Sequence, residues 1–235
     1  RKFYRMAAGH IYFQALAAAV EMDLFTILRA EGAMTLAALA HRLGLQEQPC
    51  RVLIQALTAT GVLKKRGDLY FNTMMSRIAF STQEPRSLVA TILWQKYIVY
   101  KPMSRFLESL QAHRNLGLEE IPGSGDTLYE RLEAHPALEK IFQDSMQEIS
   151  IQANDLLARY VDFGKTRLLV DVGGGNGTNL LAVATRHRHL QGRVFDLPSI
   201  CAKAAQHFED RHMADRLSTE SGNVFTDAFP DGADA

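Results

Sequence analysis

The sequence is poor in cysteine, with only Cys50 and Cys201 in 235 residues. That excludes a disulfide framework and a cysteine-based metal centre. It suits a reduced compartment, so a cytoplasmic location is expected. An excess of either charge is also missing, since Lys+Arg and Asp+Glu both number 26. Phosphate neutralisation supplies most non-specific affinity for nucleic acid, so the balance argues against a nucleic-acid binder. Long hydrophobic runs are absent too. The apolar start, "RKFYRMAAGHIYFQALAAAVEMDLF", is interrupted by His10, Gln14, Glu21 and Asp23. It reads as too polar for a membrane span, and no targeting signal is expected in it. Repeats and low-complexity segments are lacking. What remains, 47% hydrophobic and 22% charged, fits an ordinary globular protein of one large domain or two small ones.

Residues 10–30 read as one helix, apolar on more than one face and therefore buried, as in a subunit interface. Thr35 caps a short helix that stops at Gly44. Pro49 suits the first turn of the next helix and Gly61 its end. "VLKKRGDLYFN" reads as a hairpin turning at Gly67. Three helices and a hairpin form a winged-helix pattern, which raises the possibility of DNA contact. The second helix, 49–60, offers Arg51, Gln55 and Thr58, and the hairpin Lys64, Lys65 and Arg66. That basic footprint is weak, so a structural or dimerising role is the better reading.

Residues 85–160 read as helical around one loop, "GLEEIPGSGDT". A long helix runs from Pro136 to about Tyr160. Leu138, Ile141, Phe142, Ser145, Met146, Ile149, Ala153, Leu156 and Leu157 form a stripe along it. Beyond it the pattern becomes strand, helix, strand, helix, strand, which signals a parallel α/β sheet. The expected domains are 1–84, 85–160 and 161–235.

The first of these strands ends in "LLVDVGGGNGTNLL", Leu168–Leu181. In an α/β sheet such a turn lies at the carboxyl edge, where ligands bind. A phosphate-cradling loop needs a Lys and a Ser or Thr after its last glycine, but here Thr178 follows Gly177 directly. The dinucleotide pattern G-x-G-x-x-G/A fails from Gly173, where Thr178 fills the last place. It fails again from Gly175, where Leu180 does. The spacing acidic-x-G-x-G-x-G is met in full by Asp171, Gly173, Gly175 and Gly177.

This resembles the first motif of class I S-adenosylmethionine-dependent methyltransferases. The resemblance implies that Gly173, Gly174, Gly175 and Gly177 pass close under the amino-acid part of the cofactor, with Asp171 accepting from its ammonium group. Asp196 in "RVFDLP", 25 residues on, would accept from the ribose hydroxyls beside Leu197. Asp196 can also be read as a helix cap before Pro198. After the next strand, "SGNVF" offers Asn223 and Val224 to the adenine. The motif "DVGGGNG…FDLP" and the order of winged helix, helical linker and cofactor domain resemble the small-molecule O-methyltransferases of the plant caffeate and bacterial polyketide-tailoring type. The likeness spans essentially the whole chain.

That family implies metal-independent methyl transfer to a phenolic or enolic hydroxyl, with a homodimer formed through the N-terminal helices. The usual adenine-side Asp is replaced by Asn223, so cofactor grip is expected to be weaker. "FQDSMQ" resembles an element lining the acceptor pocket, which points to Phe142 and Met146, with Trp94 nearby. A plain core stripe predicts the same spacing. Residues near His10 would reach the partner's pocket. The family's catalytic His follows the fourth strand, beyond Ala235, and none of the eight histidines lies in a matching context. His187 and His189 end a helix, where a cation suits the dipole. We assign no catalytic base. With three strands of an expected seven, the chain is expected to be a piece of a longer protein. Two alternatives stand: the same cofactor used for hydroxylation, decarboxylation or a pericyclic step, and a winged-helix regulator that senses the cofactor.

Overall fold

A computed structural model describes residues 2–84 and 87–235. The chain forms two compact units, Arg1–Glu148 and Ile149–Ala235.

The first unit is mainly helical. It opens with α1 (Lys2–Ala7), α2 (Gly9–Glu21) and α3 (Leu24–Glu31). The single helix expected over 10–30 is thus two helices, bent by 56°. The break falls at Asp23, which adopts left-handed φ 58°. Asp tolerates that conformation better than most residues. Ala19, Leu24 and Phe25, on either side of the bend, are fully buried in one core. Among the described residues no single helix is long and apolar enough to cross a membrane.

Next come β1 (Met34–Thr35), α4 (Leu36–Arg42), α5 (Glu47–Ala59), β2 (Leu63–Arg66), β3 (Leu69–Asn72) and α6 (Met74–Ala79). The Thr35 hydroxyl caps α4, accepting from the Ala38 amide at 3.3 Å. β2 and β3 form the expected hairpin, and β1 joins β3 antiparallel, giving the order β1-β3-β2. Leu39, Ile54, Leu57 and Leu63 close the core beneath.

The 87–148 segment holds α7 (Val89–Trp94), a π-helical turn Gln95–Val99, α8 (Phe106–Ala112), α9 (Leu128–Glu133) and the start of α10 (Pro136–Tyr160). The Glu148 carboxylate on α10 accepts from two amides in the first turn of α7, Ala90 and Thr91, both at 2.8 Å. The α10 stripe departs from the sequence reading. Phe142 and Ser145 are buried in the first half and Asn154 and Ala158 in the second. Ile149 and Leu156 are 44% and 57% exposed, and Leu157 and Ala153 are exposed as well. Asn154 lies about 2.5 turns beyond Ser145, on the opposite side of the helix. Each half serves the core of its own unit, so one stripe does not run the full length.

The second unit is α/β: β4 (Leu168–Val172), α11 (Thr178–Arg186), β5 (Gln191–Asp196), α12 (Pro198–Asp210) and β6 (Leu217–Ser221). The strands are parallel in the order β4-β5-β6. Ala158, Leu180, Val183, Val194, Ala204, Phe208 and Leu217 make its core. The other edge of β4 meets the last residues: Asp234 N donates to Leu168 O at 3.0 Å and Val170 N to Ala235 O at 2.9 Å. The direction of chain travel across the sheet therefore reverses at β4.

Candidate functional site

In parallel sheets ligands sit outside the carboxyl ends of the strands where the order reverses. Here that place is the turn 173–177 after β4. Gly173 N still continues the ladder, donating to Phe195 O at 2.8 Å. Gly177 N then donates to Gly174 O at 3.0 Å and closes a β-turn. Of its two central residues only Gly175 has positive φ, 58°, which is the type II′ pattern. A Cβ at Gly175 would meet nothing within 4 Å, so that face of the turn is open. A Cβ at Gly177, with φ +76°, would run into the Phe208 ring at 2.4 Å.

Asp171 lies under this turn. One carboxylate oxygen, Oδ2, is buried with no hydrogen-bond partner. Burial pushes its carboxyl above the usual carboxylate range. A hydrogen bond from the Asn179 side chain pulls the other way, and the negative charge of Asp196 adds to the rise. A buried carboxylate with an unused lone pair suits a cationic donor.

Asp196 ends β5, but it does not cap α12, whose N-cap is Leu197. Its carboxylate reaches back to the turn, with Oδ2 accepting from Gly175 N at 3.0 Å and Oδ1 from Leu197 N at 2.7 Å. Leu197 is 49% exposed beside it. After β6, Asn223 begins a tight turn. Its Oδ1 accepts from Phe225 N at 2.9 Å, and its own amide donates to the Asp227 carboxylate at 2.8 Å. That hydrogen bond, with one from the Thr226 hydroxyl, holds Asp227 below the usual carboxylate range. Val224 is half-buried in the same turn.

Several residues that shape this site carried no motif. Asn176 Oδ1 accepts from the Thr178 hydroxyl at 2.7 Å and closes the start of α11. His207 and Phe208 of α12 touch the turn from below. Helix-facing alternation on α12 marks Phe208 as core, but nothing local marks His207. His187 and His189 bond backbone carbonyls, of Ala158 and Phe163, each at 3.1 Å.

In the first unit, Phe142 and Met146 belong to a core cluster with Ile98, Ile121 and Leu132. Phe142 is 8% exposed and meets Tyr129 edge-on at 5.6 Å. Neither lines the groove beside Trp94. Trp94 lines a groove of about 580 Å³, walled by Met103, Phe106, Leu110 and Leu128. Its indole Nε1 is buried without a partner. No group of His, Cys, Asp and Glu able to hold a metal occurs among the described residues.

A family model described as an O-methyltransferase domain matches residues 109–235, more than half of the chain. The chain belongs to the O-methyltransferase family. A second model, the O-methyltransferase dimerisation domain, matches residues 4–82. Among similar proteins, the L-tyrosine C(3)-methyltransferase of Streptomyces lavendulae is 30% identical, over 96% of this chain and 62% of its own length. The 3-hydroxy-5-methyl-1-naphthoate 3-O-methyltransferase of Streptomyces sahachiroi is 29% identical, over 98% of this chain and 65% of its own length. This O-methyltransferase chain therefore spans just under two thirds of those relatives. Among solved structures, the S-adenosylmethionine-dependent methyltransferase SibL in its apo form has a TM-score of 0.85 and 30% identity. That match covers 100% of this chain and 69% of SibL.

Proposed function

We propose that this chain holds the cofactor-binding half of an S-adenosylmethionine-dependent O-methyltransferase that acts on a small phenolic or enolic molecule in secondary metabolism. The observation that carries this is the pairing of Asp171 with the open glycine turn, since its buried, unpartnered oxygen calls for a cationic donor. Asp171 would accept from the cofactor's ammonium group, with Gly173 and Gly175 leaving room for its amino-acid part and Gly174 and Gly177 letting the turn pack against Asp171 and Phe208. Asp196 and Leu197 would face the ribose, and Asn223 and Val224 the adenine. When bound, the cofactor would supply a sulfonium methyl that the acceptor oxygen attacks in line, with the thioether sulfur as leaving group. The acceptor oxygen would give its proton to a general base and keep the methyl, with release of S-adenosylhomocysteine.

The activities of the relatives support a phenol as the acceptor class. One places the methyl on a naphthoate hydroxyl and another at carbon 3 of tyrosine. A phenolate is nucleophilic at oxygen and at the adjacent ring carbon, so one acceptor class accounts for both. Trp94 and its groove would contribute to acceptor binding, and Phe142 and Met146 would support it from the core. The helices and the three-stranded antiparallel sheet of residues 1–84 form a winged helix that dimerises. Residues 85–160 act as linker and 161–235 as cofactor domain. The protein works in the cytoplasm as a homodimer. Incubation of the full-length protein with methyl-labelled S-adenosylmethionine and a panel of phenols tests this reading. Label on a phenolic oxygen is expected, and cofactor binding without transfer to any phenol would overturn the assignment of chemistry.

A further inference from the structure

His207 is half-buried in the last turn of α12, and its ring points at the glycine turn rather than at solvent. Nδ1 lies 3.0 Å from the carbonyl oxygen of Asn176, 31 residues away. A carbonyl can only accept, so Nδ1 carries the proton and donates. The same peptide unit is held at its other end, where Gly177 N donates to Gly174 O at 3.0 Å. Both poles of the Asn176–Gly177 peptide plane are therefore fixed.

This matters because of the neighbouring backbone. Gly175 and Gly177 both have positive φ, 58° and 76°. A turn built on glycines has little steric resistance to alternative backbone shapes. The turn is tied down by three side chains, none of them part of it. Asp196 takes the Gly175 amide, the Phe208 ring fills the space under Gly177, and His207 takes the Asn176 carbonyl. Two of the three come from adjacent positions on α12.

We infer that His207 is a positioning residue for the cofactor turn: by donating from Nδ1 to the Asn176 carbonyl, it holds the turn in its binding shape before any ligand arrives. The inference rests on reading the turn as the S-adenosylmethionine site. Affinity would then depend on a side chain whose hydrogen bond goes to the backbone of the turn.

The test compares His207→Ala, His207→Gln and His207→Asn in the whole chain. Asn places its amide nitrogen where Nδ1 stood, while Gln places it where Nε2 stood. Calorimetric titration with S-adenosylhomocysteine should show affinity about tenfold weaker for Ala and Gln, the loss of one hydrogen bond. Asn should stay within about twofold of wild type. Hydrogen exchange without ligand should show faster exchange at Gly177 in Ala and Gln, but not in Asn. Equal behaviour of Asn and Gln, or unchanged affinity and exchange in folded His207→Ala, would overturn the inference. Wild type that fails to bind S-adenosylhomocysteine would overturn the cofactor reading instead, and the exchange comparison would still decide the role of His207.

Discussion

The Asp196 carboxylate accepts the Gly175 amide at 3.0 Å, across a sequence separation of 21 residues. The residue proposed to face the ribose thus also braces the turn proposed to hold the amino-acid end. The two ends of the site are mechanically linked through one side chain. Asp196→Asn should disturb both, because an amide has one accepting oxygen where the carboxylate uses two. The expected effect is about 10–100-fold weaker binding of S-adenosylhomocysteine, together with faster exchange of the Gly175 amide. Titration calorimetry and hydrogen exchange on the same variant check both halves.

Asp171 sets stability against binding. Its carboxyl titrates above the usual range in the folded chain, chiefly because of burial. A group raised on folding adds most stability below its unfolded pKa, and that stability is lost as pH rises through the folded pKa. At neutral pH the buried charge therefore disfavours the ligand-free fold. Asp171→Asn should raise the melting temperature by a few degrees at pH 7. The gain should vanish toward the acid end, where the native carboxyl is also neutral. The same variant should lose most affinity for S-adenosylhomocysteine. A melting series from pH 4 to pH 7, with and without ligand, reads both effects.

The glycines of the turn are not equivalent. Gly177→Ala meets both a positive φ and the Phe208 ring, and should cost about 2–4 kcal/mol. Gly175→Ala meets open space and should cost only the backbone strain, about 1 kcal/mol. Replacing Phe208 by Leu should reduce the cost of Gly177→Ala, since the clash is with the ring. Chemical denaturation of the single and double variants measures this non-additivity.

Asn223 uses its side-chain oxygen to cap its own turn on Phe225 N. An Asp there can make the same cap and adds a charge for the adenine amino group. Asn223→Asp should therefore tighten S-adenosylhomocysteine several-fold without loosening the turn. Asn223→Ala should weaken binding and release the 223–227 segment. Titration of both variants beside wild type checks the pair.

The parts of this fold that could be read from the sequence are those set by local chemistry. Thr35 caps its helix, Gly67 turns its hairpin, and β4 runs into its glycine turn because each signal lies within a few residues. The spacing of Asp171, Gly173, Gly175 and Gly177 was legible for the same reason. The bend at Asp23 was hidden because no Gly or Pro marks it, and Glu21 and Asp23 interrupt the apolar pattern of α2 and α3 no more than an ordinary polar face would. The change of buried face along α10 was hidden because one regular helix serves two cores. The tie from Asp196 to Gly175 and that from His207 to Asn176 are contacts of tertiary structure. Neither residue's sequence neighbours report them.

The most direct test of the central claim is the binding of S-adenosylhomocysteine to this chain, followed by amide hydrogen exchange. Ligand-dependent protection is expected at residues 173–177 and 196–197, lost in Asp171→Asn and Asp196→Asn. Protection elsewhere, or binding that survives both substitutions unchanged, would contradict it.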